Sequence, residues 1–341
     1  MELLKEVQRE PHPEPGSPQQ FQIADVLQDV LSQSAMAYLK EGRLAKAETA
    51  YTEIGQVCET LLKEIDAKAE WVTKLKPEFQ SAVQQHFQRS LEVSRAGRAN
   101  NLCRLGRTDE AIPIFDGIVQ RSREAALKSP EDANARDQLA MQLRNYGQYM
   151  LRAERTEDAA RLLAESHDLT EKNFSANPTD AGLKHSYSYA LYYLAVARDA
   201  QGLAPDALAL FERSRAVRAE LVTASADVSN KVDLILSEAR IGNVDAAKAL
   251  ADELSASDKK DPDLRLDIAR AMAQLTRRTE GDARDALRNA ALDALDRCVE
   301  DGQNDPFTIS TQPDLIPVRD DDRFRAIVAK LTESQGEKAG E

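Results

Sequence analysis

Leu105-Gly106-Arg107-Thr108-Asp109-Glu110-Ala111-Ile112-Pro113-Ile114-Phe115 is one copy of a pattern that returns as Gly202-Leu203-Ala204-Pro205-Asp206-Ala207-Leu208-Ala209-Leu210-Phe211. The alanines at the centre of these copies, Ala111 and Ala207, have an equivalent in Ala159, and the three stand 48 residues apart. Four residues after each comes a large apolar side chain: Phe115, Leu163 and Phe211. Five residues before each is a turn position, Gly106, Glu154 and Gly202, and twelve before is a small residue, Ala99, Gly147 and Ala195. A fixed period built on small residues, where two helices must approach closely, marks a stacked repeat. Such arrays work mainly by presenting long surfaces to other molecules.

Working outward, apolar residues recur at helical spacing from Gln20 onward, and no alternating strand pattern interrupts them. Breaks at Gly42, Pro77, Gly106, Ser129-Pro130, Arg155-Thr156, Asn177-Pro178, Gly202, Gly242-Asn243, Asp261-Pro262, Gly281 and Gly302 divide the run into helices. The prediction is all-α: an α-solenoid of about six antiparallel helical hairpins over 20–302, with a long helix over 44–74, wound as a right-handed superhelix. Ahead of it, 1–19 reads as a short helix and a Pro-rich linker, because Pro11, Pro13, Pro15 and Pro18 cannot continue a helix. Behind it, 303–333 reads as a loop punctuated by Pro306, Pro313 and Pro317, then a capping helix begun by Asp320-Asp321-Asp322. Residues 334–341 read as a disordered polar tail.

The bulk chemistry narrows the function. Hydrophobic residues make up 42% of the 341 but aromatics only 5%, which suits helices packed through small side chains. The formal charge of −13 argues against non-specific nucleic-acid binding, which needs a basic footprint, and against anionic lipid. The expected partners therefore exclude nucleic acid and membrane. Cys58, Cys103 and Cys298 are too few and too far apart for a disulfide framework, and no signal peptide or long apolar run is present, so the expected compartment is the cytoplasm. His12, His86, His167 and His185 share no metal-ligand spacing. No catalytic constellation, metal site or cofactor motif emerges, and the chain is expected not to be an enzyme.

The turn-and-helix segments around Ala111 and Ala207, with Gly42-Arg43-Leu44-Ala45-Lys46-Ala47-Glu48-Thr49-Ala50-Tyr51, resemble the tetratricopeptide (TPR) repeat. The family repeat is about 34 residues; here the excess is about seven residues per helix, nearly two turns, so each face stays in phase. Long repeats of this kind are similar to those of bacterial TPR proteins, many joined to serine/threonine kinases. The stretch Thr311-Gln312-Pro313-Asp314-Leu315-Ile316-Pro317-Val318-Arg319-Asp320-Asp321-Asp322-Arg323-Phe324 resembles the segment closing such arrays in planctomycete-like kinases. The kinase motifs themselves are absent from the sequence.

That resemblance implies a concave groove lined by the first helix of each pair. Transferred by offset from Ala99, Gly147 and Ala195, it points to Asn100, Arg104, Arg144, Gln148, Arg152, Tyr189 and Tyr192 as groove residues. Arginine and tyrosine are enriched at interaction hot spots, and six of the eight tyrosines lie between Tyr146 and Tyr193. Packing between long helices is the competing role for the tyrosine cluster. Asn100 and Asn145 match asparagines of the carboxylate clamp in chaperone-binding members, but the accompanying lysines are missing. The implied function is a non-catalytic protein–protein interaction scaffold binding a peptide or protein segment. The alternative is a regulatory or sensory arm of a serine/threonine kinase system, without its kinase domain.

Overall fold

The computed structural model describes residues 18–73, 76–256 and 260–339, so most of the proposed N-terminal helix and linker lies outside the described residues. The described residues are helical without a strand. In chain order the helices are α1 Pro18–Lys40, α2 Leu44–Asp66, α3 Glu70–Thr73, α4 Pro77–Arg104, α5 Thr108–Lys128, α6 Ala133–Arg152, α7 Thr156–Ala176 and α8 Ala181–Ala200. They continue as α9 Ala204–Ala224, α10 Val228–Ile241, α11 Val244–Ser255, α12 Pro262–Leu275, α13 Gly281–Glu300, α14 Pro306–Ser310 and α15 Asp322–Ala339. Short 3-10 turns cover Thr276–Arg278 and Pro313–Val318. This is a TPR-like helical-repeat fold of consecutive helix pairs, followed by a C-terminal helix. None of the described helices is long and apolar enough to cross a membrane.

The period seen in the sequence is a period of backbone geometry. At Gly42, Gly106, Glu154, Gly202 and Gly242 the chain takes a positive φ, between 58° and 89°. In each turn the next amide reaches back to the carbonyl five residues earlier, as in Arg107 N to Leu102 O (2.8 Å), Arg155 N to Met150 O (2.8 Å) and Leu203 N to Arg198 O (2.9 Å). That is the Schellman closure, which satisfies carbonyls left over at a helix end. Five residues after each such turn stands an alanine, Ala47, Ala111, Ala159, Ala207 or Ala247, none more than 2% exposed.

Long helix 44–74 is corrected to α2 plus the short α3. Lys68 takes φ +50°, and Ala69 N bonds Glu64 O at 3.0 Å, so the chain stops helically with the same closure at a position the sequence did not flag. The C-terminal helix also runs to Ala339 rather than giving way to a tail at 334. Glu, Gln, Lys and Ala favour helix there, and Gln335 Nε2 donates to Asn304 O at 3.0 Å.

The chain forms two compact units, one up to Ile118 and one from Val119 to Glu337. In the first, α1, α2 and α4 bury Leu31, Ile54, Cys58, Phe87 and Leu91 together. Ser94 Oγ donates to Tyr51 O across the α2–α4 contact at 2.7 Å. In the second, α6 packs on α7 and α8 on α9. Ser166 Oγ donates to Ala140 O (2.7 Å), and 48 residues on Ser214 Oγ donates to Ser188 O (2.9 Å). Asp132 and Asp180, also 48 apart, cap α6 and α8 by accepting from Asn134 N and Leu183 N.

Candidate binding cleft and its buried ionic node

The second unit is organised around one carboxylate. Leu315 and Val318, both essentially unexposed, anchor the 3-10 turn Pro313–Val318 on the core and carry Asp314 inward with them, to 2% exposure. Arg240 of α10 donates through Nε to Asp314 Oδ1 at 2.8 Å and also through Nη2. Arg270 of α12 donates to Oδ2 through Nε (3.0 Å) and Nη2 (2.6 Å). The Tyr192 hydroxyl of α8 donates to the same carboxylate at 3.1 Å, and Gln274 Nε2 donates to the Asp314 carbonyl at 2.7 Å. A buried carboxylate gripped by two forked guanidiniums is the geometry in which ion pairing offsets desolvation. Burial alone would raise the Asp314 carboxyl, yet Arg240 and Arg270 hold it down to about 2. Arg240 passes the network on to Asp199 (2.9 Å), which also accepts from Arg277 (2.5 Å).

Beside this node a cleft of about 350 Å³ opens between α8, α9, α10 and α12. Tyr189, Tyr192 and Tyr193 form one wall, because residues three and four apart share a helix face. Asp233, Asp261, Asp263 and Asp267 supply carboxylates, and Arg218 and Arg270 are its cations. Arg218 is 1% exposed; Nη1 donates to Asp233 O (2.6 Å) and Ser237 Oγ (2.9 Å), and its guanidinium carbon lies 4.6 Å from the Tyr192 ring centre. Asp233 Oδ2 is buried, with His185 Nε2 3.3 Å away. Burial would raise the Asp233 carboxyl, but His185, Arg218 and Tyr189 together bring it below its ordinary value. Burial pushes the Asp267 carboxyl up, against the opposing pull of Arg270 at 2.5 Å.

The groove residues expected from the sequence separate. Asn100 and Arg104 are half-buried near the end of α4 in the first unit. Arg144, Gln148, Arg152 and Tyr189 are half-buried in the second. Arg144 lies 5.4 Å from the Tyr189 ring centre, and burial lowers its pKa. Arg152 lies 5.7 Å from the Tyr149 ring and 5.9 Å from that of Phe307 in the C-terminal segment. Tyr192 is corrected: at 1% exposure, with its hydroxyl on Asp314 and its ring against Phe211 and Arg218, it is a core residue lending only an edge to the cleft. Tyr187 is also core, stacked on Phe174 at 4.8 Å.

Asp233, Asp267, Arg218, Arg240, Arg270 and Asp314 escaped the sequence reading. Asp314 pairs with residues 44, 74 and 122 positions away, a separation that carries no local pattern. A signal did exist in Leu234-Ile235-Leu236-Ser237-Glu238-Ala239-Arg240-Ile241 and Ile268-Ala269-Arg270-Ala271-Met272-Ala273. There each arginine stands among apolar residues on helices rich in Leu, Ile and Ala, so its burial requires a partner.

No protein-family model matches the chain, and no curated protein does. Among solved structures it is similar to the human IFIT1 dimer with PPP-AAAA, at 14% identity and a TM-score of 0.30, over 100% of this chain and 87% of that one. The exclusion of nucleic acid drawn above from net charge conflicts with that neighbour, which holds PPP-AAAA, and is withdrawn. Net charge sums over a whole chain and does not fix the field at one groove.

Proposed function

We propose that the chain is a non-catalytic binding scaffold of the cytoplasm that holds a protein or peptide segment against the cleft of its second unit. One observation carries this reading. The cleft is a concave site with polar groups converging on it, and those groups are held by a buried network rather than by mobile loops. The half-buried Arg144, Gln148, Arg152 and Tyr189 extend the surface available to such a segment. The free thiols of Cys58, Cys103 and Cys298 are compatible with a reducing compartment.

A second reading, the regulatory arm of a kinase system, is favoured by the docking of Thr311–Phe324, the segment with the kinase-associated resemblance, onto the helices through Asp314. Proximity labelling in the source cell separates the two. The scaffold reading expects protein neighbours that are lost when Arg144 or Tyr189 is replaced by alanine, since truncating such an anchor costs about 2 kcal/mol, roughly thirtyfold. A kinase recovered as the dominant neighbour favours the arm. Neighbours unaffected by either substitution overturn the assignment of this surface.

A further inference from the structure

We propose that the face of α6 formed by Arg144, Gln148 and Arg152 binds an acidic peptide stretch of the held segment, one carboxylate on each guanidinium; the inference rests on the scaffold reading above. The three positions share a face because they stand one helical turn apart. All are half-buried, and none makes a hydrogen bond or ion pair with the described residues. The buried arginines of this unit are held differently. Arg136 donates to Asn173 Oδ1 at 2.7 Å, Arg265 to Asp301 at 3.3 Å, and Arg240 and Arg270 to Asp314. Arg144 lies instead over the Tyr189 ring, and Arg152 over those of Tyr149 and Phe307. A guanidinium packed on a ring keeps its in-plane N–H donors, whose fork matches a carboxylate. Half-buried donors without an acceptor gain from an incoming one. Burial lowers the Arg144 pKa, and Asp137 and Asp233 oppose this only from beyond ion-pair distance.

The chain's own C-terminal segment shows what these helices accept. Two positions that the repeat offset assigns to the groove, Arg152 and Tyr192, meet it: Phe307 lies against Arg152, and Asp314 accepts from Tyr192 beside Arg240 and Arg270. An aspartate followed by the buried Leu315 is thus already seated among arginine and tyrosine. From there the face runs to Arg144 and Tyr189, where no carboxylate is supplied from within. Arg144 and Arg152 stand about 12 Å apart along the helix axis at 1.5 Å per residue. An extended peptide covers nearly the same distance, about 13 Å, in four residues, and those two side chains point the same way. The expected occupant therefore carries acidic residues four apart. A single-stranded nucleic acid asks for ring faces on which bases stack. Those of Tyr189 carry Arg144, Arg218 and His185, and that of Tyr149 carries Arg152.

The test uses the full chain and fluorescence anisotropy. The probes are a fluorescein-labelled Gly-Ser-Gly-Glu repeat peptide, matched repeats with Gln or Arg in place of Glu, and a triphosphorylated tetra-adenylate. The glutamate peptide is expected to bind about tenfold or more tighter than the glutamine peptide. Arg144→Gln and Arg152→Gln should each remove most of that preference. Arg144→Lys, which keeps the charge but not the fork, should retain part of it. The control Arg161→Gln, at a 66% exposed side chain of α7 already paired with Asp158, should keep it whole. Neither glutamine variant breaks a hydrogen bond, and thermal melts run beside the titrations separate lost binding from lost fold. Equal binding of the glutamate peptide by wild type and both glutamine variants overturns the inference, as does equal loss in the control. If the glutamine or arginine peptide binds best and Tyr189→Ala abolishes it, the scaffold reading stands and the acidic assignment falls. If the tetra-adenylate alone binds, or no probe binds, both fall.

Discussion

Asp314 is the residue on which the second unit turns. Replacing it with alanine strands the guanidiniums of Arg240 and Arg270, 6% and 7% exposed, without their carboxylate. Breaking a buried pair from one side typically costs about 3–5 kcal/mol, so Asp314→Ala should lower the unfolding free energy by that order in a denaturant titration. Asp314→Asn, which keeps the shape and one acceptor, should cost less. The same residue sets an acid limit. Its folded pKa of about 2 lies below the ordinary 3.8, so its contribution is fully present above pH 4 and is lost as the pH falls towards 2. That contribution is on the order of 2 kcal/mol. Wild-type stability should therefore fall across this window more steeply than that of Asp314→Asn, as read by urea unfolding at fixed pH. Parallel curves would remove Asp314 as the source of the acid sensitivity.

At the scale of the element, the turns make two opposite predictions. Glu154 occupies at φ +58° the position held by glycine in four other turns, and its side chain is 84% exposed with only a 3.8 Å contact to Arg319. Left-handed backbone costs an L-residue roughly 1–2 kcal/mol, so Glu154→Gly should be neutral to stabilising by up to about 1 kcal/mol after the entropy of added glycine. Gly147→Ala should destabilise by about 1–3 kcal/mol, because its new Cβ would sit 2.6 Å from Leu163 Cγ where α6 crosses α7. Thermal melts of the two variants beside wild type decide both. This level was the most legible in the sequence: Gly106, Gly202, Ala111 and Ala207 declare their turns and contacts through local spacing alone. Lys68 was not legible, because nothing in its type announces a positive φ. Tyr192 was misread for the reverse reason: its offset matched a groove position, but a carboxylate 122 residues away drew its hydroxyl into the core.

At the scale of the whole molecule, the repeat supplies the surface and the C-terminal segment supplies the charge that holds part of it in place. Arg270 and Tyr192 face the cleft on one side and bind Asp314 on the other, so closure of the array and the shape of the cleft are one arrangement. The sequence foretold the array through its period, the loop over 303–319 through its prolines, and the closing segment through its resemblance alone. It could not foretell the cleft, whose walls join α8 and α9 of the last regular repeat to α10 and α12 beyond it, where the spacing is irregular. The most direct measurement places a photocrosslinking benzoyl-phenylalanine at Val228, which is 55% exposed and lines the cleft. After irradiation in the source cell, the adduct is digested and sequenced by mass spectrometry. The account predicts protein adducts at this position, and their loss when Tyr189 is replaced by alanine. Adducts removed by nuclease, or protein adducts unchanged by Tyr189→Ala, would contradict it.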